Sequence, residues 1–367
     1  MRKVLLIAGL VGLIGSLLSP ALTAQKKKKG KNGDDDITQT LPLLPDPPEA
    51  IAAETARLTF HVAPLSANGL LSQQLRDAMR AIIRDNKGAP VIKIRAFVAG
   101  TGDMRRVKAI VSEVFTERKQ PLPVVSTIQV GALPMEGAQV SLESISMDKK
   151  AVNPNGLAFF SGQQAPSVGK AVAQLQTAVQ AAGVKPASLL RATCFLSSIE
   201  DVQAARNALG GAFPAAAANY VQLQRLGLQP LAECEAVGRL DNAPASPVVF
   251  LNPPGLTANP NYTQVVQVNA GKIVLTGTQM AFRDQEADIR LALERLKKTM
   301  EPMGVTYKDV FWAGTYPLTR PVADLVRKVR FDFLDKDHPP ASTLLLFEGL
   351  PSIDATVAFD VIAAVKN

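Results

Sequence analysis

The sequence predicts an α+β fold that is repeated three times along a single chain of 367 residues. Within 148–240, apolar runs of strand length alternate with segments of 3.6-residue period, in the order strand, helix, strand, helix, strand, strand. Weaker copies of this order precede it at 57–147 and follow it at 261–367. Repeats of about a hundred residues are too long for a solenoid and indicate tandem domains of ordinary size.

The N-terminus is predicted to be an export signal followed by a tether. In 1–24, Arg2 and Lys3 precede the apolar run 4–18, which has the length and flanks of a cleavable signal peptide. An uncleaved anchor is the alternative. Residues 25–56 combine a lysine run with aspartates and prolines and have no apolar period, so we expect a disordered tether. The protein is therefore expected to be secreted or periplasmic, without stable membrane insertion once the signal is removed.

The first two units differ in how completely they show the pattern. The first, 57–147, is truncated at its start, and its apolar runs predict strands at 58–64, 91–99, 124–133 and 139–145, with helices at 71–82 and 104–115. The second opens with the apolar run Leu157–Phe160, and its first helix stops at Gly183 and Pro186. Its remaining elements are a strand at 189–196, a helix at 199–209, and strands at 219–226 and 231–237.

A linker rich in proline and asparagine, 241–260, leads to the third unit. There, Asn269-Ala270-Gly271 separates two short apolar runs and predicts a hairpin between 264–268 and 273–276. Helices are expected at 289–300 and 322–334, and strands at 310–316, 342–347 and 356–364. Phe97, Phe195 and Tyr316 fall at equivalent strand positions of the three units.

The second unit resembles the RidA/YjgF family, whose members also carry the label endoribonuclease L-PSP. The resemblance rests on Ser161-Gly162-Gln163 after an apolar strand, the helix end 181–184, the strand 191–196, and the closing Glu233-Cys234-Glu235-Ala236-Val237. The family's fold is chorismate-mutase-like, and its members form homotrimers around a shared central barrel. Three tandem copies in one chain would then form an intramolecular pseudo-trimer with helices outside a central β-barrel, acting as a monomer.

Burial of sheet surface favours this assembly. The face of the first unit's sheet that its helices do not cover is expected to be apolar, with Ile94, Phe97 and Val98 on it, and such a face must be buried. Three separate domains on a string, or a higher oligomer, are the alternatives.

The resemblance also implies a chemistry. Family enzymes hydrolyse reactive imines or enamines without metal or organic cofactor, and an arginine at the start of the penultimate strand binds the substrate carboxylate in a cleft between protomers. In this chain the arginine positions hold Val125, Ala218 and Ser342. None of these side chains can bind a carboxylate as an arginine does, so the family mechanism is in doubt at all three clefts.

Other family positions supply candidate site residues. An acid is kept on the last strand of each unit, giving the catalytic candidates Glu143, Glu235 and Asp360, although a position at the rim reaching water is equally compatible. The ligand-binding candidates are Ser161, Gly162, Tyr262, Thr278 and Gln279, with Lys108, Arg206 and Arg327 as cations aligned on the second helices. Exposed helix positions are the simpler interpretation of those three cations.

Several functions find little support in the sequence. The formal charge is +8, and it falls to +4 once the two cations of the signal and the five lysines and three consecutive aspartates of the tether are left out. No basic aromatic surface indicates a nucleic-acid partner. His61 and His338 are too isolated for a metal site, and no cofactor is expected. Cys194 and Cys234 permit a disulfide in an exported protein, while two buried thiols are the alternative.

We therefore expect an exported RidA-like protein with degenerate family sites, which binds a small metabolite in its inter-domain clefts. The alternative is an active imine or enamine deaminase of a divergent subgroup that positions water with Glu143, Glu235 or Asp360. A structural or protein-interaction module that uses the tether is the second alternative.

Overall fold

The computed structural model describes residues 43–100, 102–225 and 229–366. The predicted signal peptide and residues 25–42 of the predicted tether lie outside them. No helix in the described ranges is long and apolar enough to cross a membrane. The structure is mixed α+β with several sheets, in agreement with the periodicity of the sequence.

The strands and helices follow one another along the chain with short connections. The strands are β1 (Ala50–Glu54), β2 (Leu58–Val62), β3 (Val91–Ala99), β4 (Val124–Val130), β5 (Val140–Met147), β6 (Leu157–Ala165), β7 (Leu189–Leu196), β8 (Ala217–Gln222), β9 (Ala232–Arg239), β10 (Val248–Leu251), β11 (Val265–Val268), β12 (Lys272–Thr276), β13 (Gln279–Phe282), β14 (Val310–Pro317), β15 (Ala341–Leu344) and β16 (Ala355–Ala364). The helices are α1 (Leu71–Asp85), α2 (Arg106–Glu117), α3 (Val168–Ala181), α4 (Val202–Ala212), α5 (Glu286–Met300) and α6 (Arg320–Val329).

Three sheets share one pairing scheme. The first has the order β2-β5-β3-β4, the second β10-β11-β6-β9-β7-β8, and the third β1-β12-β16-β14-β15 with β13 also paired to β16. In each sheet a middle strand (β3, β7 or β14) runs parallel to the next strand and antiparallel to the last one. Two helices pack on each sheet and form a separate helix-facing core.

Two further hydrophobic clusters take residues from all three sheets. In one of them the rings of Phe97 and Phe195 lie 6.0 Å apart, and Phe347 contacts both Phe195 at 5.8 Å and Tyr316 at 5.4 Å. The aromatic residues that align in the sequence therefore meet in one core. Side chains of this kind join the sheets face to face.

The predicted closed β-barrel is absent from the described strands, because the strand order ends at an edge in each of the three sheets. Strand alternation also corrects the face assigned to Ile94 and Val98, which pack against the helices of the first sheet. Phe97 lies on the opposite face, together with Lys93 and Arg95. That face is therefore charged as well as apolar.

The predicted hairpin around Asn269-Ala270-Gly271 is wrong. Strand β11 before the turn pairs with β10 and β6 in the second sheet, whereas β12 after it pairs with β1 and β16 in the third. The turn marks a crossing between sheets, because turn residues permit a reversal but do not choose the partner strands.

Two segments predicted to be irregular contain strands. Residues 50–54 of the predicted tether form β1, and residues 248–251 of the predicted linker form β10. Both are short edge strands whose order comes from pairing with β12 and β11. Polar and proline-rich flanks hide such short apolar runs in the sequence.

Candidate functional site

Six charged side chains meet where the three sheets face one another, and we call them the central charge cluster. They are Lys93, Arg95, Glu143, Arg191, Glu235 and Asp360, and all of them are buried. Alternation along the strands places Lys93 and Arg95 on the same face of β3. The three carboxylates that the sequence suggested as catalytic residues are thus brought into one cluster.

Glu143 is fully hydrogen-bonded. Its Oε2 accepts from Nε of Arg95 at 2.9 Å and from NH2 at 2.6 Å, while its Oε1 accepts from Thr193 at 2.5 Å and Asn219 at 2.7 Å. Burial alone would raise the pKa of this carboxyl, but the charges of Arg95 and Arg191 and these hydrogen bonds lower it to about 2. Glu143 is therefore an ionised structural anion.

The other two carboxylates are satisfied in the same way. Glu235 accepts from Arg95 and from Thr343 at 2.5 Å. Asp360 accepts from Lys93 at 2.7 Å, from Ser126 at 2.5 Å and from Tyr316 at 3.1 Å. Each carboxylate thus has a cation and at least one hydroxyl or amide donor, which is what a buried charge requires.

The cluster breaks the symmetry that the three sheets otherwise share. Glu143, Glu235 and Asp360 lie opposite Arg95, Thr193 and Gly314 in the strand register. At Gly314 a Cβ atom would lie 2.3 Å from Asp360 Oδ1, so no larger residue fits there unless the carboxylate moves. Only one of these three opposite positions holds an arginine, and that arginine, Arg95, forms ion pairs with both Glu143 and Glu235.

An open cleft lies between the second and third sheets, and we call it the second cleft. It is a cavity of about 140 Å³, and an adjoining cavity of about 250 Å³ shares part of its lining. The lining residues are Gly162, Gln164, Glu233, Asn259, Asn261, Tyr262, Arg327, Arg330, Ser342 and Leu344. Four of these, Gly162, Tyr262, Arg327 and Ser342, are residues that the sequence singled out.

Glu233 is the acid of the second cleft. It lies on β9, 5% exposed, and Gln164 donates to its Oε2 at 3.0 Å. Burial raises the pKa of Glu233 to about 8, and nearby Glu235 adds to the rise. A Cβ atom at Gly162 would lie 1.9 Å from Glu233 Oε1, so glycine there makes room for the carboxyl group.

Helix α6 brings the arginines to this cleft. The hydroxyl of Thr319 caps the helix, and Pro321 lies in its first turn. Arg327 lies near the end of the helix, and Arg330 follows three residues later, on the same side. Nε and NH2 of Arg330 are buried and have no hydrogen-bond partner among the described residues. Burial, and then the charge of Arg327, lowers the pKa of Arg330 to about 10.

A larger cavity of about 590 Å³, the first cleft, lies between the first and second sheets. Arg206, Ala218 and Asn219 line it together with apolar residues such as Pro64 and Met135. The amide of Asn219 already donates to Glu143. Arg206 is exposed at the edge of this cleft, and no carboxylate is among the lining residues.

The corresponding position between the third and first sheets is occupied by the chain itself. Val125 is buried, and its carbonyl oxygen would lie 3.2 Å from a Cβ atom at Gly277. The carbonyl of Glu49 accepts from the N–H of Gly277 at 2.8 Å, and its carboxylate accepts from Gln279 at 2.8 Å. The segment before β1 therefore covers this position.

The remaining predicted residues have structural surroundings. Ser161 donates to the carbonyl of Thr263 at 2.6 Å and accepts from the N–H of Ser342 at 2.8 Å, which ties β6 to β15. Thr278 is buried, and Lys108 is exposed on α2. Cys194 and Cys234 face each other across β7 and β9 and form a disulfide, which resolves the alternative left open by the sequence.

Sequence reasoning missed Glu233 and Arg330. The spacing of Glu233-Cys234-Glu235 on a strand puts both glutamates on one face, so the pattern could have identified Glu233. Arg330 gives no such signal, because its burial depends on how α6 packs. The described residues contain no group of three or more potential metal ligands.

Comparisons with known proteins give structural neighbours only. No family model matches the chain, and no curated protein matches it. A protein of unknown function from Yersinia pestis, described as a member of the conserved Rid protein family, aligns over 33% of this chain and 100% of its own at 17% identity, with a TM-score of 0.29. A YjgF family member from Neisseria meningitidis aligns over 33% of this chain and 96% of its own at 13% identity, with a TM-score of 0.25. A chorismatase aligns over 75% of this chain and 93% of its own at 13% identity, with a TM-score of 0.24.

Proposed function

We propose that this chain is a RidA-like protein whose three tandem units form an intramolecular pseudo-trimer. A cyclic set of hydrogen bonds supports the proposal, because the acid of each unit accepts from the penultimate strand of the next. The donors are Asn219 for Glu143, Thr343 for Glu235 and Ser126 for Asp360. These three donors directly follow the positions of the missing family arginine, Ala218, Ser342 and Val125.

The function that we propose is binding of a small anionic metabolite in the second cleft. The observation that carries it is Arg330, a buried guanidinium group with two unpartnered nitrogen atoms in the lining of a cavity. A buried charge without a partner is costly, and a carboxylate would satisfy it through two parallel hydrogen bonds. Arg330 would thus take the role of the family's strand arginine, whose position in the third unit is held by Ser342.

The other polar groups of the cleft narrow the ligand further. A protonated Glu233 can donate a hydrogen bond to a carbonyl or imine group, because its pKa of about 8 leaves it largely neutral at pH 7. Tyr262, Asn259 and Asn261 add donors and acceptors along the same wall. A small 2-oxo or 2-imino acid matches this set, with its carboxylate at Arg330 and its carbonyl or imine at Glu233.

The raised pKa of Glu233 also favours a second candidate function, hydrolysis of an imine. Glu233 would protonate the imine nitrogen while water adds to the carbon, and ammonia would leave as the carbonyl forms. Glu233 recovers its proton from the added water. Glu233 takes the place of Glu143, Glu235 and Asp360 in this mechanism, because those three carboxylates are fully paired.

The test of binding uses pyruvate as the probe. We expect saturable binding of pyruvate to the full-length protein by calorimetry, weakened by about tenfold or more in Arg330→Gln, since a hydrogen bond to a charged group is lost. The control is Lys108→Gln, which changes an aligned helix cation that lines neither the first nor the second cleft, and this variant should bind pyruvate normally. Equal affinity in Arg330→Gln and the unaltered protein would refute the proposed site.

The test of hydrolysis is separate. An amino-acid oxidase generates the imine, and the release of ammonia is followed with and without the protein. Acceleration that is lost in Glu233→Gln but kept in Lys108→Gln supports an enzyme. Pyruvate binding without any acceleration would leave a binding protein and exclude the hydrolase.

We further propose that the protein is exported and acts as a monomer on a small molecule, without a nucleic-acid partner. The signal-like residues 1–24 and the burial of the inter-sheet faces support this. N-terminal sequencing of the mature protein and light scattering test the two parts. The alternative role of 25–56 in protein binding predicts that a pull-down loses its partners when that segment is deleted.

A further inference from the structure

A small cavity lies inside the central charge cluster. Its volume is about 20 Å³, which is room for one particle of about the size of water. Lys93, Arg95, Glu143 and Arg191 line it together with apolar side chains that include Trp312. All of the lining residues are buried, so any occupant must satisfy the cluster itself.

The hydrogen-bonding groups that remain free around this cavity are donors. Glu143 already accepts four hydrogen bonds. Arg191 is less well satisfied, because its distances to the carboxylates of Glu143 and Glu235 are 3.4 and 3.9 Å and its Nε has no hydrogen-bond partner within 43–100, 102–225 and 229–366. A buried donor without an acceptor is unfavourable, so the occupant should be an acceptor.

The charges around the cavity favour an anion over a water molecule. Three cations and one carboxylate line it. The carboxylates of Glu235 and Asp360 pair with Arg95 and Lys93 outside this lining, so Arg191 is the lining cation with the weakest pairing. The apolar walls offer no acceptor for the two hydrogens of water, and a halide ion has no hydrogens to place. We propose that this cavity binds a single halide ion, chloride under ordinary conditions, with Nε of Arg191 as its main donor.

The direction in which the pKa values of two lining cations are shifted agrees with an anion in the cavity. Burial lowers the pKa of Arg191 and of Lys93. Glu143 and Asp360, respectively, offset part of this shift, and repulsion from Arg95 adds to it. An anion between these groups would stabilise their charged forms.

Trp312 makes the proposal directly testable, since it is the single tryptophan of the chain. We expect bromide to quench its fluorescence in the full-length protein along a saturating curve, with ionic strength held constant by sodium gluconate. Chloride should relieve that quenching by competition. Quenching that rises linearly with bromide and does not respond to chloride overturns the proposal, because contact from solvent does not saturate.

A matched pair of variants locates the ion. Arg191→Gln should raise the bromide concentration for half-quenching by about tenfold or more, because a charged donor is lost. Arg330→Gln alters a second buried arginine whose nitrogens lack partners among the described residues. Arg330 does not line this cavity, so the variant should leave the curve unchanged. An unchanged curve in Arg191→Gln contradicts the assignment. If that variant does not fold, chloride competition in the unaltered protein still decides whether a halide ion binds beside Trp312.

Discussion

The central charge cluster and the second cleft are built from the same kinds of residue, but only in the cluster is each carboxylate paired with a cation. In the cluster, Arg95 serves Glu143 and Glu235 at hydrogen-bonding distance. In the cleft, two nitrogen atoms of Arg330 lack a hydrogen-bond partner in the part of the chain that the structure describes, and Glu233 has a pKa raised to about 8. Acid and arginine that neutralise each other stabilise an interior, whereas the same groups left apart beside a cavity are available to a ligand.

The largest effect is expected from breaking the cluster. Arg95→Leu leaves two buried carboxylates without their closest cation, and we expect it to lower the free energy of unfolding by roughly 3–5 kcal/mol. Urea denaturation measures this. Arg330→Leu is the contrasting change, and it should leave stability equal or higher because no carboxylate among the described residues pairs with that guanidinium and two of its buried nitrogens lack hydrogen bonds. Similar losses in both variants would remove the distinction between the two regions.

The disulfide should give the next largest effect. Cys234 lies on β9 between Glu233 of the cleft and Glu235 of the cluster, and its bond to Cys194 closes a separation of 40 residues. Replacing both cysteines by alanine should lower stability by about 2–4 kcal/mol. Calorimetry measures the melting temperatures of the oxidised protein and of the double variant. Equal melting temperatures would indicate that the two thiols are not joined.

The two acids predict opposite dependences of stability on pH. The pKa of Glu233 is raised from 4.5 to about 8 on folding. Its contribution to the free energy of unfolding is therefore complete below the unfolded pKa and is lost as pH rises through about 8. The pKa of Glu143 is lowered from 4.5 to about 2 on folding. Its contribution to the free energy of unfolding is therefore complete above the unfolded pKa and is lost as pH falls through about 2.

Glu233→Gln isolates the first of these trends. The variant should match the unaltered protein below the unfolded pKa of 4.5 and exceed its stability at about pH 9, where the unaltered protein must ionise a buried carboxyl group. Urea denaturation at both pH values measures the difference. A variant that is no more stable in alkaline solution would show that Glu233 is not buried as a neutral acid.

The smallest effects are expected at the edges of the clefts. Arg327→Gln removes a partly solvated charge beside Arg330 and should weaken pyruvate binding only a few-fold. Arg206→Gln changes the aligned cation of the first cleft and should leave pyruvate binding in the second cleft unchanged. A larger effect of Arg206 than of Arg327 would place the pyruvate site in the first cleft.

Local sequence patterns predicted the positions of the helices and strands well. They predicted the pairing of strands that are distant in the sequence much less well. The strands at 91–99 and 189–196 have their predicted bounds, because apolar periodicity and flanking turn residues are local signals. The partners of β1 and β11 depend on which sheet edge is available, which the local sequence does not encode. The predicted barrel was wrong for a related reason, since side chains rather than continuous strand pairing join the sheets.

The candidate site shows the same contrast between local features, which the sequence predicted, and long-range contacts, which it did not. The resemblance singled out Gly162, Tyr262 and Ser342 one by one, and the structure places all three in the lining of the second cleft. Strand alternation and the resemblance could not separate Glu233 from Glu235, because that distinction depends on which acid meets an arginine across the inter-sheet space. The identity of the paired acid is a property of assembly, not of sequence spacing.

One titration tests both regions at once. Carboxyl carbon resonances of glutamate in the full-length protein can be followed by NMR as pH is varied, with Glu233→Gln and Glu143→Gln providing the assignments. We expect Glu233 to titrate near pH 8 and Glu143 to stay ionised down to about pH 2. Ordinary values near 4.5 for both would mean that neither acid is buried as described, and the contrast between cluster and cleft would fail.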